Sequence, residues 1–163
     1  MTIEIGELSE SQKKTDEQIG RLTDGWGKFV EGLVTTSVPK LMAEFGIEIL
    51  GTYQRARKRL NGREMEIDVL CVGRRKKKRV VIAAEVKSEL NVWDVKRYLN
   101  SLDQFFLFFD EYRGRDLIGA VCGIRLSRGI QEFAEKQGLY VLAPSGETMI
   151  ILNKPGFKPR IWR

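Results

Sequence analysis

The chain has 163 residues, room for one domain of ordinary size with an appendage, and carries a formal net charge of +6 with a sequence pI near 9.4. An excess of lysine and arginine favours a polyanionic partner, because such side chains release counterions when they meet a phosphate chain. The sequence contains no histidine, which excludes Ser-His-Asp and Cys-His nucleophilic arrangements and histidine-bearing zinc sites, and leaves carboxylates, lysine and a hard metal ion as the available chemistry.

Cys71 and Cys122 sit singly inside apolar runs rather than in a spaced framework, so we expect buried thiols in a reducing compartment. The stretch MTIEIGELSESQKK has no apolar core of signal-peptide type, and no segment approaches the roughly 20 apolar residues needed to span a bilayer. The expectation is a soluble, cytoplasmic protein.

Met1, Ile5, Leu8, Gln12, Thr15, Ile19, Leu22 and Trp26 alternate spacings of four and three, the seam of a heptad repeat. Residues 1–23 therefore read either as a frayed helix or as a short coiled-coil arm able to pair two copies, weak in both cases because Gln12 and Thr15 lie in the seam. From Asp24, a plausible N-cap, Trp26, Phe29, Val30, Leu33, Val34, Val38 and Leu41 recur at helical spacing, and Pro39 predicts a kink or a restart, hence a pair of core helices. Glu31 lies beside the apolar stripe rather than opposite it.

Gly46 closes the helical region. Residues 47–60, IEILGTYQRARKRL, then read as an extended, basic edge strand in which Arg55, Arg57 and Arg59 alternate with Gln54, Ala56 and Lys58. Asn61-Gly62 is a strong hairpin signal, since both residues tolerate the positive φ of a tight two-residue turn. In the run that follows, residues 64–72, a period of two places Met65, Ile67, Val69 and Cys71 on one face and Glu64, Glu66, Asp68, Leu70 and Val72 on the other. Asp68 is thus a carboxylate among apolar neighbours, which needs a salt bridge or a metal to offset its desolvation.

Residues 73–79, GRRKKKR, read as an exposed turn with six consecutive positive charges, either a solubilising tip or a phosphate contact that positions without reading bases. The run VVIAAEVK, residues 80–87, is a buried central strand that ends in two opposite charges, Glu85 and Lys87, on one face with Val81 and Ala83. A helix is predicted over 92–110 from Val92, Val95, Leu99, Leu102, Phe105, Phe106 and Phe109, with Asn91 as N-cap and with Lys96, Arg97, Tyr98 and Gln104 on or near its polar side. A strand over 117–126, a helix over 129–137 and a strand over 140–144 imply a crossover and a parallel pair in a mixed sheet. Ser145-Gly146-Glu147 turns the chain into a last edge strand, 148–152, and residues 154–163 form a basic, extended tail in which Trp162 either docks on the body or mediates contacts.

The order of these elements, a helix bearing Glu31, a hairpin, a strand bearing Asp68, a strand ending in Glu85-Val86-Lys87, a helix and a strand, resembles the PD-(D/E)XK nuclease superfamily over roughly residues 24 to 143. More narrowly, WGKFVEGLV, NGREMEIDVL and AAEVKS, preceded by the heptad segment, look like a group of prokaryotic proteins with a coiled-coil lead. The resemblance implies a restriction-endonuclease-like α/β core over 24–153 with a mixed central sheet flanked by helices, an arm over 1–23 and the tail over 154–163. It implies a catalytic set of Asp68, Glu85, Lys87 and Glu31, with Asp68 and Glu85 holding Mg2+ or Mn2+ and Lys87 contacting the attacking water. Ile67, not proline, precedes Asp68; this proline is often missing in the superfamily, and its absence lowers the specificity of the match.

The function so implied is a metal-dependent endonuclease acting on nucleic acid, with DNA favoured, working as a dimer through the amino-terminal helix. The competing reading is a catalytically inactive nucleic-acid-binding or assembly module on the same fold. The residues expected to contact nucleic acid are Arg55, Arg57, Arg74, Arg75, Lys76, Lys77, Lys78, Lys96 and Gln104.

Overall fold

The computed structural model of the chain describes residue 25 and residues 27–163. The expected arm over 1–23, the Asp24 cap and Trp26 lie outside the described residues. The first helix, α1, covers residues 27–43 and buries Val30, Val34, Val38 and Met42, one residue per turn along a single stripe. It runs through Pro39 without a restart, so the expected helix pair is one helix. A proline removes a single intrahelical donor, and the packing of Val34, Val38 and Met42 on both sides of it outweighs that loss. Gly46, at φ +76°, ends the helical region as expected.

Three strands follow as a meander: β1 (Glu48–Leu60), β2 (Arg63–Arg75) and β3 (Lys78–Glu89). Asn61 and Gly62 have φ of 51° and 75°, the two-residue turn their sequence predicts, and set an antiparallel register from Leu60 opposite Arg63 to Glu48 opposite Arg74. The expected basic turn over 73–79 is mostly strand. Arg74 faces Arg79 and Arg75 faces Lys78 across the β2–β3 ladder, which leaves only Lys76 and Lys77 in the turn, with Lys76 at φ 56°.

Helix α2 (Val92–Asp103) starts at Asn91, whose side chain accepts from the Asp94 N–H while the Asp94 side chain accepts from the Asn91 N–H. The single helix expected over 92–110 breaks at Gln104 into α3 (Phe105–Phe108) and a 3-10 turn (Asp110–Tyr112). This break lets Phe105 and Phe109 stack with ring centroids 4.8 Å apart. Strand β4 (Asp116–Arg125), helix α4 (Arg128–Lys136), β5 (Tyr140–Ser145) and β6 (Thr148–Ile151) complete a mixed six-stranded sheet in the order β1-β2-β3-β4-β5-β6. β3, β4 and β5 are parallel and the outer pairs antiparallel. This is the expected flanked mixed sheet, with the basic β1 as one edge.

Two apolar layers sandwich the sheet. Val95, Tyr98, Leu102, Phe105 and Ala134 from α2, α3 and α4 pack on Val81, Ala83, Leu117, Val121 and Val141 on one face. The α1 stripe packs on Val69, Cys71, Ile82, Ala84, Ile118 and Ala120 on the other. Burial pushes the Cys71 and Cys122 thiols up to about 12, so neither is a nucleophile at neutral pH. The tail packs as part of this body: Trp162 exchanges backbone hydrogen bonds with Leu117, and its indole N–H donates to Asp103 at 3.1 Å. Among the described residues no helix is long and apolar enough to cross a membrane.

Candidate active site

The strict alternation expected for β2 fails at one place. Met65 and Ile67 pack on the α2 side, as do Leu70 and Val81, whereas Val69 and Cys71 pack on the α1 side. The faces therefore exchange between Ile67 and Val69. On the neighbouring strand Arg55, opposite Asp68, takes φ 53°, a left-handed conformation that a non-glycine residue adopts only when its surroundings impose it. Besides the shift between Ile49 and Gly51, the β1–β2 register also lacks Arg55 and Asp68, between the pairs Gln54–Val69 and Ala56–Ile67. The irregularity is local and centred on the carboxylate singled out by sequence.

The β2–β3 ladder ends at the same level. Its last pair is Val69 with Ala84; below this, residues 63–67 pair only with β1, and Glu85, Val86, Lys87 and Glu89 pair only with β4. The next N–H on β3, that of Val86, donates instead to the Asp68 carboxylate at 2.8 Å. Asp68 thus closes the fork with its side chain where a backbone carbonyl would otherwise continue the ladder.

Glu85 and Lys87 project from β3 just beyond this closure, on the face of Val81 and Ala83 as their spacing predicts. The Lys87 ammonium lies 3.6 Å from the Glu85 carboxylate, an ion-pair contact longer than a hydrogen bond. Burial, followed by the charge of Asp68, raises Glu85 to about 7, with Lys87 pulling the other way. Asp68 is raised as well, by burial above all and then by the Glu31 and Glu66 charges, against the Val86 hydrogen bond and Lys87. Two carboxylates that hold each other's protons are a site that gains from a cation.

Glu31 reaches the same region from α1, 8% exposed, and its carboxylate accepts from the Arg55 guanidinium at 3.2 Å. Together with Lys28, Lys87 and Ser88 the pair lines an open cleft of about 460 Å³. Among the described residues, no three side chains of the His, Cys, Asp and Glu types form a group that could hold a metal ion, so Glu31 is engaged by Arg55 and does not form a trio with Asp68 and Glu85. The donor set is a pair of hard carboxylates. That fits Mg2+ or Mn2+, for which one or two carboxylates with water and substrate oxygens make an ordinary coordination shell.

The residues expected to touch nucleic acid are scattered. Arg55 lines the cleft. Arg57 pairs with Glu66 at 3.1 Å, Arg74 with Glu48 at 2.9 Å and Lys78 with Asp116 at 3.6 Å, so each has a carboxylate partner within the chain. Arg75, Lys76 and Lys77 occupy the tip of the β2–β3 hairpin. That tip is on the order of 30 Å along the strand from Lys87, at 3.3 Å per residue, and so stands away from the fork. Gln104 accepts from Arg63 at 2.6 Å, and the Lys96 ammonium lies 5.6 Å from the centre of the Trp93 ring.

Tyr98 is a correction to the sequence reading: it lies in the core, 3% exposed, and its hydroxyl donates to the Ala83 carbonyl. Its placement between Val95 and Leu102 in the apolar stripe was the available signal. Its hydroxyl ties α2 to the strand that carries Glu85. Asp94, in the first turn of α2, also bears on the site, since its charge contributes to raising Glu85.

No protein-family model and no curated protein matches the chain. Among solved structures it is similar to a repair endonuclease from Pyrococcus abyssi, at 18% identity and TM-score 0.41 over 65% of this chain and 44% of that one. It is similar to EndoMS in a dsDNA complex, at 21% identity and TM-score 0.40 over 65% and 44%. It is also similar to an FdxN element excision controlling factor protein from Anabaena variabilis, at 15% identity and TM-score 0.37 over 74% and 98%. The chain spans less than half the length of the first two. Likenesses of this size carry no chemistry, which has to be read from the residues themselves.

Proposed function

We propose that the chain is a divalent-metal-dependent nuclease that hydrolyses phosphodiester bonds of nucleic acid, with DNA favoured and Mg2+ or Mn2+ as the ion. The observation that carries this reading is the gathering of Asp68, Glu85 and Lys87 at the end of the β2–β3 ladder, with the Asp68 side chain closing the fork. Asp68 and Glu85 would hold the ion, which when bound supplies charge neutralisation at the phosphate and a more acidic water. Lys87 stands 3.6 Å from the Glu85 carboxylate, and its charge acts on Asp68 as well. It would hold the attacking water and offset the charge developing on the phosphate rather than act as a free base. Arg55, fixed in its strained conformation at the rim, would bind a neighbouring phosphate, and Glu31 would hold Arg55 in place. Association of two copies through residues 1–23 would present a fork to each strand of a duplex.

A catalytically inactive nucleic-acid-binding or assembly module is the competing reading, and one observation favours it. The charges of the cluster are already matched within the chain, Lys87 to Glu85, Arg55 to Glu31 and the Val86 N–H to Asp68, as expected of a structural charge cluster. The deciding measurement is cleavage of DNA and RNA with Mg2+ or Mn2+ by the wild type beside Asp68→Ala and Lys87→Ala proteins purified identically. Equal cutting by all three would mean contamination and would end the nuclease reading. Mass in solution of the chain lacking residues 1–20 tests the arm: an unchanged oligomer removes its role.

A further inference from the structure

Trp93 is 74% exposed, more than any other large apolar side chain described. It is not on a mobile end. Only Leu90 and Asn91 separate β3 from α2, the capping box fixes the first turn, and the Tyr98 hydroxyl on the Ala83 carbonyl fixes the rotation of the helix. With Val95, Tyr98 and Leu102 turned into the core, helical spacing turns Trp93, Lys96, Arg97 and Asn100 outward as one stripe. The Trp93 end of that stripe is the end that follows directly on β3, and Asp94 in the same turn is near enough for its charge to act on Glu85. The Lys96 ammonium already lies over the indole, 5.6 Å from its centre.

An exposed indole leaves a large apolar face in water, which calls for a partner. Interface cores between proteins are depleted of lysine, and a second copy of this basic chain would bring Lys96 and Arg97 against like charge. A nucleotide meets both features: its base stacks on the free face of the ring while its phosphate meets the ammonium and guanidinium groups. The base faces inside a duplex are covered by their neighbours, so the ring can stack only on a base that is unpaired, at an end, in a loop or in a single strand. We infer that Trp93, with Lys96 and Arg97, is a stacking platform for an unpaired nucleobase beside the fork, and that the strand this chain binds is at least locally single-stranded. The inference deepens the nuclease reading and rests on it only for what happens at the neighbouring phosphate.

The test is binding of a fluorescein-labelled 20-nucleotide oligothymidylate and of a blunt 20-base-pair duplex, both in EDTA so that no cutting intervenes, by wild type, Trp93→Ala and Trp93→Phe. We expect Trp93→Ala to weaken oligothymidylate binding by about 5- to 150-fold, the usual cost of losing one stacking ring. Duplex binding should change less than about twofold, Trp93→Phe should keep most of the affinity, and the melting temperature should not move, since the side chain is exposed. Oligothymidylate should also quench wild-type indole fluorescence more than that of Trp93→Ala. The platform is overturned if Trp93→Ala binds oligothymidylate as wild type does, if both ligands weaken equally, or if wild type binds neither. The two readings fail separately: a protein that binds through Trp93 yet never cuts with Mn2+ loses the nuclease and keeps the platform, and one that cuts with Trp93 dispensable does the reverse.

Discussion

At one end of the β2–β3 hairpin Arg74, Arg75, Lys76, Lys77, Lys78 and Arg79 crowd a tight turn, and Arg74 and Lys78 already have carboxylate partners in the chain. At the other end stand Asp68, Glu85 and Lys87, where the ladder stops and a side chain takes over a backbone hydrogen bond. The tip has more charge and the fork has more consequence. Charge at the tip is exposed, so its replacement by water costs little, whereas at the fork partial burial makes each charge answer to its neighbours.

The comparison breaks most sharply on activity. Asp68→Ala should reduce Mn2+-dependent cleavage to background while leaving a folded protein, because it removes one of the two carboxylates proposed to hold the ion and the cap on the Val86 N–H together. Lys87→Ala should lower the single-turnover rate by roughly 10²- to 10³-fold, the usual cost of one charge-stabilising donor. Rates within about twofold of wild type for either protein would remove the fork from the chemistry.

Next in size is a pH effect on the metal-free protein. Glu85 titrates near 7 in the fold against 4.5 in an unfolded chain, so between those values the folded state binds more protons and stability falls as pH rises, levelling above 7. Across that window the loss is about 3 kcal/mol, with Asp68 acting in the same direction. Chemical denaturation in a chelator at pH 5 to 8 should show this slope in wild type and lose most of it in Glu85→Gln. Mn2+ at about a hundred times its dissociation constant should return about 2.7 kcal/mol at pH 8 to wild type and much less to the variant. A wild-type curve that rises through the window would contradict the fork as described.

On the tip side the sensitive residue is a glycine rather than a charge. A methyl group on Gly73 would run into the backbone carbonyl of Glu48, where β1 shifts register between Ile49 and Gly51. Gly73→Ala should therefore destabilise by roughly 1–3 kcal/mol, read from the urea midpoint, without touching metal dependence.

Much of this layout was legible in the sequence because short-range chemistry dictates it. Asn61-Gly62 set the hairpin, Asn91 started α2, and the nearly unbroken apolar run over 80–87 marked a doubly covered strand. Strand period also put Glu85 and Lys87 on one face. What the pattern hid were departures from period that only tertiary contacts create. The exchange of faces around Asp68 needs the left-handed Arg55 on another strand, and the uninterrupted α1 through Pro39 needs the sheet beneath it. Glu31 was placed correctly beside its stripe, yet no local signal pairs it with Arg55 rather than with the other two carboxylates.

The smallest expected effect lies at the turn itself. Lys76 and Lys77 are exposed and have no burial cost to relieve, and they stand some 30 Å from Lys87 at strand spacing, about three Debye lengths at 0.1 M salt. Lys76→Asn with Lys77→Ser, asparagine being chosen because position 76 has φ 56°, should shift the urea midpoint by less than about 0.5 kcal/mol equivalent. Cleavage at 0.15 M salt should change less than about twofold. At 10 mM salt, where the Debye length reaches about 30 Å, a modest loss of affinity should emerge and vanish again as salt is restored. A large loss that persists at 0.15 M salt would mean that the nucleic acid lies along the whole hairpin. The tip would then be a second contact region, and the division drawn between the two ends would fail.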